Sequence, residues 1–154
     1  MSPKVLIALL LAAISVSPAL AQTRQQTIRE RSTHVMPFSM DATMHQFEPT
    51  KTGGFMAVTV HDGDARQVAL VRSHLQKEAA AFARGDFGDP AYIHGKNMPG
   101  LASLSAGAKR ISVHYAPLSD GATITFRTSD AGLIAALHRW FAAQVSDHGH
   151  DAMM

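Results

Sequence analysis

The chain has 154 residues, a formal net charge of +2, nine His, eight Met and no Cys. At this length one compact domain is expected. The lack of Cys excludes disulfide scaffolds, Cys-ligated zinc, c-type haem attachment and thiol nucleophiles. The small charge predicts no nucleic-acid partner, because such a protein needs a clustered basic face. The abundance of histidine is the compositional signal that remains.

The first 21 residues have the pattern of a secretory signal peptide. Lys4 precedes an unbroken apolar run over residues 5–14, and Ala19-Leu20-Ala21 supplies a small-x-small cleavage site before Gln22. The run is too short to span a bilayer, which needs about 20 apolar residues. We therefore expect a periplasmic or secreted protein with no stable membrane anchor after cleavage; an uncleaved anchor is the alternative.

The mature chain begins with a polar segment, followed by a single predicted domain over residues 34–154. Residues 22–33 contain one large apolar side chain and predict a polar N-terminal tail or a surface helix. From His34 to Phe47 the spacing suits an extended segment, which Pro37 would confine to a sheet edge or a bulge.

Two similar units follow, each with a strand, a capped helix and one apolar stripe. Residues 55–61 predict a strand, and Asp64 is placed to cap a helix that ends near Gly85. In the second unit Asp120-Gly121 predicts a tight hairpin, and Asp130 is placed to cap a helix that ends at Gly149. The predicted stripes recur at helical spacing: Val68, Val71, Leu75, Ala79 and Phe82, then Leu133, Ile134, Leu137, Phe141 and Val145.

These elements predict an α+β fold. Duplicated strand–strand–helix units would form a four-stranded antiparallel sheet, with two helices packed on one face. The connector over residues 85–109 is apolar enough to cover the opposite face. Long connections of this kind are usually functional or disordered.

Five short motifs appear in a fixed order along the mature chain. They are His34–Phe38, Thr43–Phe47, Gly85–Phe87, His94–Leu101 and Asp147–Ala152. Together they resemble a family of small, poorly characterised bacterial proteins, some of them labelled aspartate carbamoyltransferase. That label implies a phosphate-gripping loop at a helix N-terminus and about twice this length in two domains. The chain has neither, so we do not expect that activity.

The histidines of the strands and the connector form the predicted site. His45, His94 and His114 would converge on the sheet face beneath the connector, with His61 at a strand end able to join them. Met98 lies near His94 in sequence. Three imidazoles with an open position are typical of zinc or copper sites.

The methionines add a second ligand type. Thioether sulfur suits copper where thiolates are absent, and Met36, Met40 and Met44 follow His34 in the N-terminal segment. The alternative is that these methionines fill the core, which Met does readily.

The other histidines have simpler structural interpretations. His74 would bond Glu78 one turn away, and His138 would lie at the core edge with one satisfied nitrogen. In the tail, His148 and His150 flank Gly149 as a loose chelating pair or a solvated end; as a continuation of the second stripe, His148 would instead be anchored.

The sequence thus predicts a secreted or periplasmic protein that binds a metal ion, copper before zinc, through His with Met assistance. Haem is a weaker cofactor prediction because no haem motif is present. One alternative is a small His-based or metal-assisted enzyme, with His45 or His94 as base and Asp86 or Asp89 as its orienting acid. A non-catalytic interaction module with incidental His is another. The sequence does not predict the oligomeric state.

Overall fold

The computed structural model describes residues 18–154. Most of the predicted signal peptide, residues 1–21, lies outside the described residues. The helices are α1 (Pro18–Val35), α2 (Ala65–Ala83), α3 (Gly88–His94), α4 (Leu101–Gly107) and α5 (Ala131–His148). The strands are β1 (Thr43–Thr50), β2 (Gly53–Val60), β3 (Ser112–Leu118), β4 (Gly121–Arg127) and β5 (Ala152–Met153). The α+β class is confirmed.

The local signals of the two units are also confirmed. Asp64 caps α2 by accepting a hydrogen bond from the Gln67 amide at 2.8 Å, and Asp130 accepts one from the Leu133 amide at 3.1 Å. A side-chain acceptor at this position satisfies an amide that the helix leaves unpaired. All five residues of the predicted α2 stripe are buried. In α5 the buried face turns further than predicted and includes Trp140 and Gln144.

The predicted four-stranded antiparallel sheet with two helices is wrong, since residues 18–154 contain five α-helices. The sheet is mixed and has five strands, in the order β3-β4-β2-β1-β5. The first four strands pair antiparallel, whereas β5 runs parallel to β1, with His45 opposite Ala152. A strand of two residues is too short to produce an alternating pattern, so periodicity could not show it.

The predicted place of the connector is also wrong. Residues 85–109 contain α3 and α4, which pack against α1 and α5 rather than over the opposite face of the sheet. Their apolar side chains join the core beside Trp140. Gly100 brings α4 close to α5: its φ is +82°, and a Cβ there would lie 2.1 Å from the Ala136 carbonyl oxygen.

The segment before β1 is not extended as predicted. Residues 22–33 lie within α1, which continues through His34, and Met40–Ala42 form a 3-10 turn. This turn breaks the alternation assumed for residues 34–47, so Phe38 and Met40 enter the same core as Phe47. No helix in residues 18–154 is long and apolar enough to cross a membrane.

Candidate functional site

The predicted site residues fall in different places. His45 on β1 and His94 at the end of α3 are both buried, at 2% and 5% exposure. His114 lies exposed on β3, in a groove with Ser112, Thr125 and Arg127. His114 alternates with Val113 and Tyr115, which pack against the core, so it projects from the other face of the sheet.

The remaining predicted ligands lie elsewhere. His61 is exposed just after β2, and His34 is exposed near the end of α1. Met98 is buried as part of the hydrophobic core. The structure therefore brings His45 and His94 to one region and leaves the other four predicted ligands outside it.

His148, the last residue of α5, connects the two buried histidines. Its ring stacks on His45 with 5.2 Å between centroids and 6° between planes. It meets His94 edge-on, with centroids 4.9 Å apart and planes at 75°. We call His45, His94 and His148 the imidazole cluster. Parallel pairing of β5 with β1 places the chain after α5 against His45, and so holds His148 beside it.

His45 is the unusual member of the cluster. Within the described part of the chain, neither of its ring nitrogens has a hydrogen-bond partner, although both are buried. Burial lowers the pKa of His45 from 6.5 to about 4, and the nearby Asp151 carbonyl opposes this without reaching hydrogen-bond geometry. An orphaned buried polar group is costly and in native structures indicates an absent water, an ion or a functional role.

His94 is held by a buried carboxylate. Its Nδ1 lies 2.9 Å from Asp147 Oδ2. Arg24 on α1 donates two hydrogen bonds to the same carboxylate, from Nε to Oδ1 at 2.5 Å and from Nη2 to Oδ2 at 2.7 Å. Burial raises the pKa of Asp147, but the hydrogen bonds from His94 and Arg24 outweigh it and hold that pKa below its usual value. The carboxylate therefore fixes His94 with its Nδ1–H donating.

His148 has the most strongly perturbed environment of the cluster. Burial first, and then the neighbouring His45 and His94, lower the pKa of His148 to about 2. A neutral imidazole offers a ring nitrogen lone pair, which is the form that binds metal ions. Near neutral pH His45 and His148 are both neutral, and thus able to act as ligands.

A small cavity lies beside His45. Its volume is about 40 Å³, enough for a water molecule or a single ion. Its polar or sulfur-containing lining comes from seven side chains: Met36, His45, Met56, His74, Glu78, Gln144 and His148. The rest of its wall is largely apolar. The cavity thus combines imidazole and thioether groups in a space too small for a porphyrin.

The ligands are not arranged for a metal ion as they stand. Across residues 18–154 no group of three or more His, Asp or Glu side chains is positioned to hold one. Two imidazoles and a thioether do not form such a group, so a low-coordinate site remains compatible with the cavity lining.

The other histidines have their own contacts. His138 Nε2 lies 2.8 Å from the Gly53 carbonyl and 3.1 Å from that of Thr50, which confirms a core-edge histidine with one satisfied nitrogen. His74 packs edge-on against Phe38 at 5.7 Å. The predicted orienting acids lie elsewhere: Asp86 accepts from the Gly88 amide, and the charge of Asp89 acts on Glu78.

Sequence reasoning missed His148, Asp147 and Arg24 as members of this region. The available signal was the spacing of α5, since His148 follows Phe141 and Val145 along the predicted stripe. Arg24 carried no such signal, because its partner is 123 residues away in sequence.

No family model, curated protein or solved structure matches this chain. The resemblance to a bacterial family therefore stays a prediction.

Proposed function

We propose that this protein binds a copper ion in the cavity beside the imidazole cluster. The observation that carries the proposal is the buried ring of His45, whose two nitrogens lack partners while a second imidazole stacks on it. His45 and His148 supply nitrogen ligands, and the thioether of Met36 or Met56 on the cavity wall supplies sulfur.

The nearby backbone fits this role for His45. Metal-binding histidines usually donate their second ring N–H to a carbonyl or carboxylate, which fixes the tautomer. The Asp151 carbonyl lies close to His45 but outside hydrogen-bond geometry. The rings of His45 and His148 are nearly parallel, so their nitrogen lone pairs meet at one ion only after a ring rotates. Rotation of the His45 ring on metal binding would also pair one of its nitrogens with this carbonyl and turn the other toward the ion.

The ligand set favours copper over zinc. Zinc sites with three protein ligands use His or carboxylate in tetrahedral geometry, and residues 18–154 hold no such group. Thioether ligands select Cu(I), which accepts low coordination numbers. Zinc is therefore the less favoured metal ion. A cavity of about 40 Å³ is also too small for haem.

His94 has a supporting role in this proposal. Asp147 holds the ring from behind, and the ring edge contacts His148. The same His–carboxylate pair is the feature that the alternative of a small enzyme requires. However, only 1% of the His94 side chain is exposed, which leaves a substrate no access to it. The pair therefore favours positioning over catalysis.

The predicted compartment agrees with this ligand chemistry. Cleavage before Gln22 would deliver the chain to a periplasmic or extracellular space, where thiols oxidise. A copper site without Cys avoids that oxidation, and this chain has no Cys.

Anaerobic competition titration with the coloured Cu(I) complex of bicinchoninate tests the proposal. We expect wild-type protein to remove about one equivalent of Cu(I) and to gain thermal stability with it, as ligand linkage requires. His45→Phe and His148→Phe, which keep an aromatic ring in the core, should lose this uptake.

His114→Phe is the matched control, because His114 is exposed on the other face of the sheet. It should bind copper as the wild type does. Absence of uptake by the wild type, or uptake that persists in His45→Phe, would contradict the proposal.

A further inference from the structure

A surface groove lies directly outside the imidazole cluster. It has a volume of about 240 Å³ and runs between α1 and the turn that follows α5. His148 lines this groove and also lines the small cavity beside His45. The ring of His148 therefore stands between the solvent-facing groove and the buried cavity.

A second imidazole, that of His150, lies at the solvent-exposed side of this groove. His150 lines the groove and exposes 87% of its side chain. Its Nε2 lies 3.2 Å from Asp151 Oδ1, so a carboxylate holds the ring loosely near the surface. His150 and His148 are two residues apart, one exposed and one buried. An ion moving between them would exchange one imidazole for another.

A larger groove approaches the cavity from the opposite side. Its volume is about 510 Å³, and it shares His74 and Glu78 with the cavity. The His74 ring is packed against Phe38, and Lys77, Arg84 and Asp89 line this groove. Glu78 adds little negative charge at pH 7, because burial and Asp89 raise its pKa to about 8. In the first groove the charge of Arg29 is balanced by its ion pairs with Asp41 and Asp151. An excess of positive charge in a groove lowers the local concentration of cations. This side is therefore the less favourable path for a copper ion.

We propose that copper enters through the groove between α1 and residues 148–151, captured by His150 and passed by rotation of His148 to His45. This inference rests on the copper site proposed above. A molecule that delivers exchangeable Cu(I) would then bind the protein at this groove. His150 then governs the rate of loading without belonging to the final ligand set.

Stopped-flow transfer of Cu(I) from its bicinchoninate complex to the full chain tests this route. The rate is followed anaerobically at several protein concentrations, so that the step involving the protein is isolated. Two substitutions at exposed helical positions form a matched pair: Gln26→Trp obstructs the proposed groove, and Ser73→Trp obstructs the opposite one. His150→Ala removes the capturing imidazole.

We expect Gln26→Trp and His150→Ala to slow loading about tenfold with unchanged final stoichiometry, and Ser73→Trp to stay within about twofold of wild type. Slower loading in Ser73→Trp alone, or equal rates in all four proteins, would overturn the route while leaving the copper site intact. Failure of the wild type to take up Cu(I) at equilibrium would overturn both proposals.

Discussion

Replacement of His45 by Phe should make the metal-free protein more stable. An unpaired buried polar group costs about 1–3 kcal/mol, and both His45 nitrogens are buried without partners. Phe keeps the ring in the core, and the adjoining cavity of about 40 Å³ accommodates its additional atom. We therefore expect the free energy of unfolding of His45→Phe to exceed that of wild type by about 1–3 kcal/mol at pH 7.

The same substitution should flatten the acid limb of the stability profile. Because burial lowers the pKa of His45 from 6.5 to about 4, the unfolded chain binds a proton there before the folded chain does. Protonation of His45 therefore leaves stability unchanged above pH 6.5 and lowers it as pH falls from 6.5 to 4, because the unfolded chain takes up the proton first. This loss amounts to about 3 kcal/mol. His45→Phe lacks this titration, so the difference between the two profiles isolates it.

Urea unfolding measured between pH 7 and pH 4 provides the assay. Trp140, the only tryptophan of the chain, is fully buried and reports unfolding by fluorescence. His138→Phe is the matched control, and it should lower the free energy of unfolding rather than raise it. It leaves the Thr50 and Gly53 carbonyls without their donor. A His45→Phe protein less stable than wild type at pH 7, with an unchanged acid limb, would refute the reasoning.

Three further substitutions test neighbouring features. Glu78→Gln should remove a loss of stability that wild type shows as pH rises from 4.5 to 8. Burial first, and then Asp89, raise the pKa of Glu78 from 4.5 to about 8. The folded protein is therefore stabilised by the neutral form below pH 4.5, and this stability is lost as pH rises to 8. Chemical denaturation between pH 4.5 and pH 8 measures this loss, and a pH dependence equal to that of wild type would contradict the effect of burial and Asp89 on Glu78. Gly100→Ala should cost at least about 1 kcal/mol, because φ is +82° and the added Cβ meets the Ala136 carbonyl; a Tm equal to wild type would contradict that close approach. Asp147→Asn should weaken Cu(I) affinity about 10–100-fold in the competition titration, since it loosens the groups behind His148; unchanged affinity would remove His94 and Asp147 from the account.

The local elements could be predicted because their signals lie within a few residues. The five apolar positions of α2 repeat at helical spacing, and Asp64 and Asp130 provide acceptors at the helix starts. The fifth strand and the connector could not be placed this way. Two residues of β5 carry no periodicity, and the packing of α3 and α4 depends on contacts with α1 and α5 that are distant in sequence.

The candidate site was predictable only in part. The prediction placed His45 and His114 on one sheet face beneath the connector, and for His45 this is wrong. His45 is one of the buried alternate residues of β1 and lies on the face that packs against α5. The alternation of β3 puts His114 on the other face, which the connector does not cover. His148 takes the place predicted for His114, because α5 ends where β5 begins to pair with β1.

The most direct test of the copper proposal is a crystal of the protein loaded with Cu(I), measured at the copper absorption edge. We predict a single anomalous peak in the cavity, bonded to ring nitrogens of His45 and His148. A peak confined to exposed histidines such as His114 or His150, with His45 unbound, would contradict the account.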